Sequence, residues 1–181
     1  MYLNHKNLTI RLFRESDSAE LYDLVDSSRA TLNRWLEFPQ RIKALDDCQE
    51  FIRSIQTKYH NHEGFWAGIW IDDTLVGSIG LLSIDARNKK TEIGYWLGSQ
   101  HEGNGYMLTA CKLIIGHIFA ELGLNRIEIR VKSGNFRSQR IPKQLQFKHE
   151  GTLRQAESFQ GVYYDIWVYG LLKLDNRKQD Q

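Results

Sequence analysis

Proline and cysteine are scarce here, two of each in 181 residues. Cys48 and Cys111 lie far apart, form no C-x-x-C pair and fall in apolar helical patterns. That placement argues against a disulfide framework and reads as two buried, reduced thiols, which suits a cytoplasmic protein. There is no H-E-x-x-H, and His60 and His62 stand two apart beside no cysteine, so no metal is expected. Charge of one sign is missing as well. The 24 Lys and Arg against 22 Asp and Glu leave +2, too little to argue for a nucleic-acid or membrane-surface partner. No long apolar run occurs, because Lys112, His117 and Glu121 interrupt the stretch from Leu108 to Leu124. The opening Met-Tyr-Leu-Asn-His-Lys has no apolar h-region, so no signal peptide is expected. Repeats, low-complexity tracts and Pro- or Ser/Gly-rich linkers are also absent.

What is present is a globular balance, 41% hydrophobic and 25% charged, at a length that suits one domain. We expect that domain to span 1–174, with a polar tail over 175–181. Leu8, Ile10 and Leu12 alternate with polar residues and predict an opening strand. An Asp17-x-x-Glu20 cap predicts a helix carrying Leu21, Leu24 and Val25, and Leu32, Trp35 and Leu36 continue it to a stop near Pro39. Asp46 to Gln49 caps a third helix, with Cys48, Phe51, Ile52, Ile55 and Tyr59 on one face. Three strands follow, Phe65 to Ile71, Leu75 to Ile84 and Thr91 to Leu97, the first two joined by a tight Asp72-Asp73 turn. A long helix then carries Leu108, Cys111, Ile115, Ile118, Phe119 and Leu122, with Gly123 as its left-handed cap. Next come a strand alternating through Ile127, Ile129 and Val131, a short helix near Ser138 to Leu145, and strands around Thr152 to Ala156 and Tyr163 to Leu171. The fourth and fifth of the seven strands are joined through a helix and should be parallel neighbours. The fold class is α/β, a mixed sheet with helices on both faces.

The chemistry concentrates where the fourth strand meets the long helix, at Gln100-His101-Glu102-Gly103-Asn104-Gly105-Tyr106. Glycines let main chain approach a ligand, and the unpaired N–H groups of a first helical turn attract a diphosphate. The P-loop lysine and serine are missing, and the glycines follow the fourth strand rather than the first, so neither a triphosphate loop nor a dinucleotide fingerprint fits. A plain strand-to-helix turn that binds nothing stays open on these residues alone.

The wider pattern resembles the GCN5-related N-acetyltransferases (GNAT). The Gln-x-x-Gly-x-Gly turn is similar to their acyl-CoA pyrophosphate loop. Further matches are Ile93-Gly94-Tyr95-Trp96-Leu97, Asn135-Phe136-Arg137-Ser138, Phe147-Lys148-His149-Glu150-Gly151, Gln155-Ala156-Glu157 and Gly161-x-Tyr163-x-Asp165. Together they resemble the RimJ/RimL branch, which acetylates N-terminal α-amines of ribosomal proteins. The resemblance implies a seven-stranded sheet splayed between strands four and five, with acetyl-CoA as co-substrate in the gap and no metal. Trp96 and Leu97 would offer main-chain groups to the pantetheine, and the N–H near Leu97 would face the thioester carbonyl. The amides of Glu102, Gly103, Asn104, Gly105 and Tyr106 would hold the diphosphate. Asn135 and Ser138 would line the gap opposite, although each also suits a strand-end turn or a helix cap.

The resemblance also assigns roles: Glu157 as the base that deprotonates the amine, directly or through water, in a direct attack within a ternary complex, and Ser138 as the hydrogen-bond donor to the departing thiolate. A solvated carboxylate is the alternative for Glu157. The implied acceptor is a protein N-terminus, ribosomal proteins first. Small amines (polyamine, aminoglycoside, amino acid) and a non-catalytic acyl-CoA-binding role stand as alternatives, and a homo-oligomer is left open. Two departures touch the short helix. Pro142 stands where many relatives carry a tyrosine acid, and Gln146 where glycine is common. Trp35, Phe38, Trp66 and Trp70 either line the acceptor groove or fill the core, and Asp165 either attracts a cationic acceptor or braces a hydrogen-bond network.

Overall fold

The computed structural model describes residues 1–177. Its strands are β1 (Tyr2–His5), β2 (Leu8–Leu12), β3 (Phe65–Ile71), β4 (Thr74–Asp85), β5 (Lys90–Leu97), β6 (Arg126–Lys132), β7 (Lys148–Phe159) and β8 (Val162–Leu172). The helices are α1 (Ser18–Leu32), α2 (Phe38–Arg41), α3 (Leu45–His60), α4 (Tyr106–Ala120), α5 (Phe136–Gln144) and α6 (Lys173–Arg177). All eight strands form one sheet in the order β1-β2-β3-β4-β5-β6-β8-β7. Every neighbouring pair is antiparallel except β5 and β6.

The sheet has one strand more than the seven expected. β1 is a mostly exposed edge strand, turned onto β2 through Lys6 at φ 53°, and its polar sequence carries no apolar alternation to announce it. The expected fourth and fifth strands are therefore β5 and β6. The polar tail expected over 175–181 begins inside α6, where Asp175 accepts a hydrogen bond from Lys148 Nζ at 3.4 Å; 178–181 lie outside the described residues.

Alternation along the strands divides the apolar residues between two cores. One face packs Ile10, Ile69, Ile79, Ile93, Ile127 and Ile129 against Cys111, Ile114 and Ile118 of α4. The other face of β3 to β5 packs Trp70, Leu75 and Trp96 against Leu21 and Val25 of α1 and Cys48 and Ile52 of α3. Burial pushes the Cys48 thiol up to about 11, which leaves it protonated. The Asp72-Asp73 turn has φ of 46° and 66°, the left-handed pair a two-residue hairpin needs, and Gly123 closes the end of α4 at φ 63°.

Three local expectations change. Asp17 does not cap α1. It accepts the Arg14 N–H at 2.7 Å and two bonds from Arg11, at 2.7 and 2.9 Å, and so braces the turn before the helix. Glu20 likewise turns away from its cap role and accepts the Leu75 N–H at 2.5 Å. Pro39 stops nothing; it sits in the first turn of α2, where its missing N–H costs no helical bond. At α3 the capping carboxylate is Asp47, which accepts the N–H groups of Lys43 and Ala44 at 2.7 and 2.8 Å.

Candidate active site

The parallel ladder between β5 and β6 has only three rungs, Lys90–Arg126, Thr91–Ile127 and Glu92–Glu128. Beyond them β5 stays with β4 as far as Gly77–Leu97, and β6 stays with β8 as far as Lys132–Ile166. The sheet opens there into a wedge. The Gly98 N–H donates to the Val76 carbonyl at 2.9 Å. Main-chain direction alternates along a strand, so the Leu97 N–H faces the wedge. This free edge is a template for an extended ligand to join as a strand. The Trp96 ring is buried 5.3 Å from Phe38, and the same alternation turns its main-chain groups to Ser78 of β4, so of the two residues expected to pair with the arm only Leu97 faces the wedge.

The loop after β5 is fixed from below. Ser28 Oγ of α1 accepts the Ser99 N–H at 3.0 Å, and a β-carbon at Gly98 would collide with Leu24. Gly103 and Gly105 take left-handed φ of 84° and 77°, and neither has any atom within 4 Å of where a β-carbon would stand. These two glycines are thus required by the backbone and face open space. The first helical bond of α4 runs from the Thr109 N–H to the Gly105 carbonyl at 3.1 Å. The amides just before Thr109 therefore have no helical acceptor and point outward with the positive end of the helix. Asn104 folds back on the loop, donating to the carbonyls of His101 and Glu102 at 3.3 and 3.4 Å. The Glu102 carboxylate is taken by Arg137 from across the wedge. Open space, unpaired amides and a free strand edge fit a diphosphate carrier with an extended arm.

On the α4 side of the wedge lies the first turn of α5. Asn135 is its cap, accepting the Ser138 N–H at 3.1 Å. Ser138 Oγ donates to Tyr95 Oη at 3.3 Å, and Tyr95 Oη donates to the Ser138 carbonyl at 3.0 Å. Burial pushes the Tyr95 phenol well above its ordinary value, so it stays protonated.

Glu157 lies on the opposite face. Lys132 alternates with Val131 and so points away from α4, and its ammonium meets Glu157 Oε1 at 2.6 Å. The same ammonium donates to the Trp35 carbonyl at 2.8 Å and lies 3.9 Å from the Phe159 ring centre. Glu157 keeps 46% of its side chain exposed, so a ligand can reach it. Its direction depends on a bulge. The β7 register shifts between Leu153 and Glu157, with Gln155 left-handed at φ 47° and its N–H held by Asp165 Oδ1 at 2.8 Å. Asp165 is therefore the network brace. Trp35 packs edge-on to Tyr164 at 6.4 Å, and Gln160 Nε2 ties the β7–β8 hairpin to the Asn33 carbonyl at 3.0 Å. Asn33 Oδ1, in the same wall, is buried without a donor. Of the four aromatics singled out in the sequence, Trp70 is core, Phe38 and Trp66 pack against that same core, and Trp35 borders this hollow.

The same face of β6 continues as a charged ladder. Glu128 pairs with Arg126 at 3.0 Å and Arg130 at 3.1 Å. Burial alone would raise Glu128, but these two guanidiniums outweigh it and hold it low. Glu92, at the closed end of the wedge, is pushed up by burial, with Arg130 pulling it back from 3.5 Å. Among the described residues no group of three or more His, Cys, Asp or Glu is placed to hold a metal ion, and no helix is long and apolar enough to cross a membrane.

The family model for an acetyltransferase (GNAT) domain matches residues 7–148. The chain belongs to the GNAT acetyltransferases. It is 34% identical over 170 residues to a putative ribosomal N-acetyltransferase, YdaF, of Bacillus subtilis, with 93% of each chain covered. It is 28% identical over 167 residues to the ribosomal-protein-serine acetyltransferase of Escherichia coli, covering 91% of this chain and 92% of that one. Among solved structures it superposes on the microcin self-immunity acetyltransferase MccE, crystallised with acetyl-CoA and AMP, at TM-score 0.89 and 25% identity over 93% of both chains.

Three residues that hold candidate site residues of this acetyltransferase in place went unassigned in the sequence: Tyr95, Lys132 and Arg137. Alternation could have placed Tyr95 on the face of Ile93 and Leu97, and Lys132 on that of Glu128 and Arg130. Nothing local pointed to Arg137. The departures in α5 also resolve. The helix runs unbroken through Pro142, and Gln146 takes the left-handed φ of 58° in place of glycine, a strain of about 1 kcal/mol.

Proposed function

We propose that this acetyltransferase carries acetyl from acetyl-CoA to a primary amine, and that its acceptor is the N-terminal α-amine of a protein, ribosomal proteins first. The observation that carries the acceptor reading is the Glu157–Lys132 pair at 2.6 Å, reachable from solvent beside Trp35. A lone carboxylate would draw polycations. Here its charge is already balanced, and a cationic acceptor must compete with Lys132 for it. At pH 7 about a tenth of α-amines are neutral, against a few in ten thousand lysine side chains. The paired carboxylate therefore favours the α-amine. The names of the two curated relatives support the same acceptor class, and the MccE complex supports acetyl-CoA as donor.

Acetyl-CoA, once bound, supplies an activated acyl carbon and a thiolate leaving group. The amides from Glu102 to Tyr106 hold its diphosphate, and the main chain of Leu97 pairs with its arm. The Leu97 N–H donates to the carbonyl oxygen as negative charge develops there. Glu157 takes the proton from the amine, directly or through water, as the N–C bond forms. Ser138 Oγ–H turns to the sulfur as the C–S bond breaks, and the thiolate then takes a proton from solvent. Asn135 holds the Ser138 turn. We assign all of this to one domain, 1–174, working in the cytoplasm.

The test is acetylation of peptides with free and with blocked N-termini, read by CoA release. Turnover on the free peptides alone is expected, with Glu157→Gln losing about 100-fold or more in kcat while still binding acetyl-CoA. Lysine acetylation of blocked peptides, or faster turnover on spermidine than on any peptide, would replace the acceptor. Acetyl-CoA binding with no turnover on any amine would leave a binding protein.

A further inference from the structure

Ser138 is held at each of its polar atoms. Its N–H donates to Asn135, its carbonyl accepts from Tyr95 Oη, and its hydroxyl donates to the same oxygen. Tyr95 belongs to β5 and Ser138 to α5, and the main-chain ladder that could have fixed this side of β5 ended at Glu92. The tyrosine contact is thus a side-chain rung across the opened wedge. The Ser138 carbonyl is available for it because the residue four positions on is Pro142, which has no N–H to return to that carbonyl. The departure that removes a tyrosine acid from α5 also frees the atom that Tyr95 grips. The buried phenol keeps its proton, so this donor persists at ordinary pH.

We infer that Tyr95 is a positioning residue for acetyl transfer: its bond to the Ser138 carbonyl sets the separation of β5 from α5, and its bond from the serine hydroxyl keeps that hydroxyl at the wedge, where it can turn to the departing sulfur. The inference rests on the Ser138 role proposed above. In the resting protein the hydroxyl proton lies toward Tyr95 Oη. During transfer the hydroxyl turns to the sulfur, while the bond from Tyr95 to the Ser138 carbonyl keeps the turn of α5 in place. No proton leaves Tyr95.

The experiment is a double-mutant cycle on the full chain with acetyl-CoA and a free-N-terminus peptide. Tyr95→Phe keeps the ring and removes both bonds. It should lower kcat about tenfold with peptide KM unchanged, since small misplacements at a reacting centre are costly. Ser138→Ala should lower kcat about 100-fold, and the double variant no further than Ser138→Ala alone. Losses that add, or full kcat in Tyr95→Phe while Ser138→Ala is impaired, overturn the inference and leave the serine role standing. Full kcat in Ser138→Ala removes the serine role, and the inference with it. Should Tyr95→Phe fail to fold, Pro142→Ala serves instead. It restores an N–H that competes for the Ser138 carbonyl, and it should lower kcat in the same sense; an unchanged kcat there overturns the inference.

Discussion

On the β1–β5 side of the wedge, helices cover both faces of the central strands, α4 on one and α1 and α3 on the other. β4 there is continuously buried from Leu75 to Leu81. On the β6–β8–β7 side, one face rests on α4 and α5, and the other displays Arg126, Glu128, Arg130, Lys132, Glu150 and Glu157 in ion pairs. The first half offers a ligand its main chain: a free strand edge, two glycines and a helix start. The second offers side chains. A carrier common to a whole family suits the first kind of site, and an acceptor that differs between members suits the second, because side chains change without moving backbone.

The largest difference between the halves should appear in stability. Asp17 is buried and holds Arg11 and the Arg14 N–H, so Asp17→Asn should cost about 3 kcal/mol by urea unfolding. Glu150 makes two similarly short bonds to Arg126, at 2.7 and 2.5 Å, but near the surface, and Glu150→Gln should cost about 1 kcal/mol or less. The sign with pH follows from Asp17. Burial would raise its pKa, but the bonds from Arg11 and the Arg14 N–H outweigh it and leave the folded value lowered. Its contribution is therefore present above the unfolded value of about 3.9 and is lost as pH falls through the folded value. Asp17→Asn should flatten that acid limb. Equal costs at Asp17 and Glu150 would end the contrast.

Next in size is the bulge. Asp165→Ala leaves the left-handed Gln155 without its anchor and frees Glu157 to swing. We expect kcat to fall up to about 100-fold with acetyl-CoA affinity unchanged by calorimetric titration. A matching loss of acetyl-CoA affinity would mean that the two halves are not separable.

Gly105→Ala probes the other half. Nothing stands near the added β-carbon, so the free protein loses only the left-handed strain, about 1 kcal/mol. The same β-carbon enters the space facing the unpaired amides. Acetyl-CoA affinity should fall about tenfold, with kcat at saturation retained, measured by titration and steady-state kinetics.

These differences also explain what could be read from the chain. Gly103, Gly105 and Gly123 announce their turns because few other residues tolerate positive φ, and the long helix shows its core in the spacing from Cys111 to Phe119. Lys132 and Glu157, or Tyr95 and Ser138, meet only through the tertiary fold, and no local periodicity relates them. The Gln155 bulge hides for a related reason. It is left-handed without a glycine, stabilised by an aspartate on the next strand. Asp17 had the composition of a cap but found a stronger partner in Arg11.

Arg137 joins the two halves at the mouth of the wedge, and its removal should have the smallest effect. Its side chain is 73% exposed, so its bond to Glu102 adds little to folding, and Arg137→Gln should leave the melting temperature within about a degree. Its effect belongs to charge. Glu102 stands in the loop whose amides we propose to hold the diphosphate, and unpaired it would repel one. Arg137→Gln should weaken acetyl-CoA about threefold at low salt, and Glu102→Gln added to it should restore the affinity. The loss should shrink as ionic strength rises, since about 0.1 M salt already screens exposed charges beyond roughly 10 Å. If Arg137→Gln instead raises the peptide KM and leaves acetyl-CoA untouched, this arginine serves the acceptor, and the boundary between backbone site and side-chain site lies on the other side of α5.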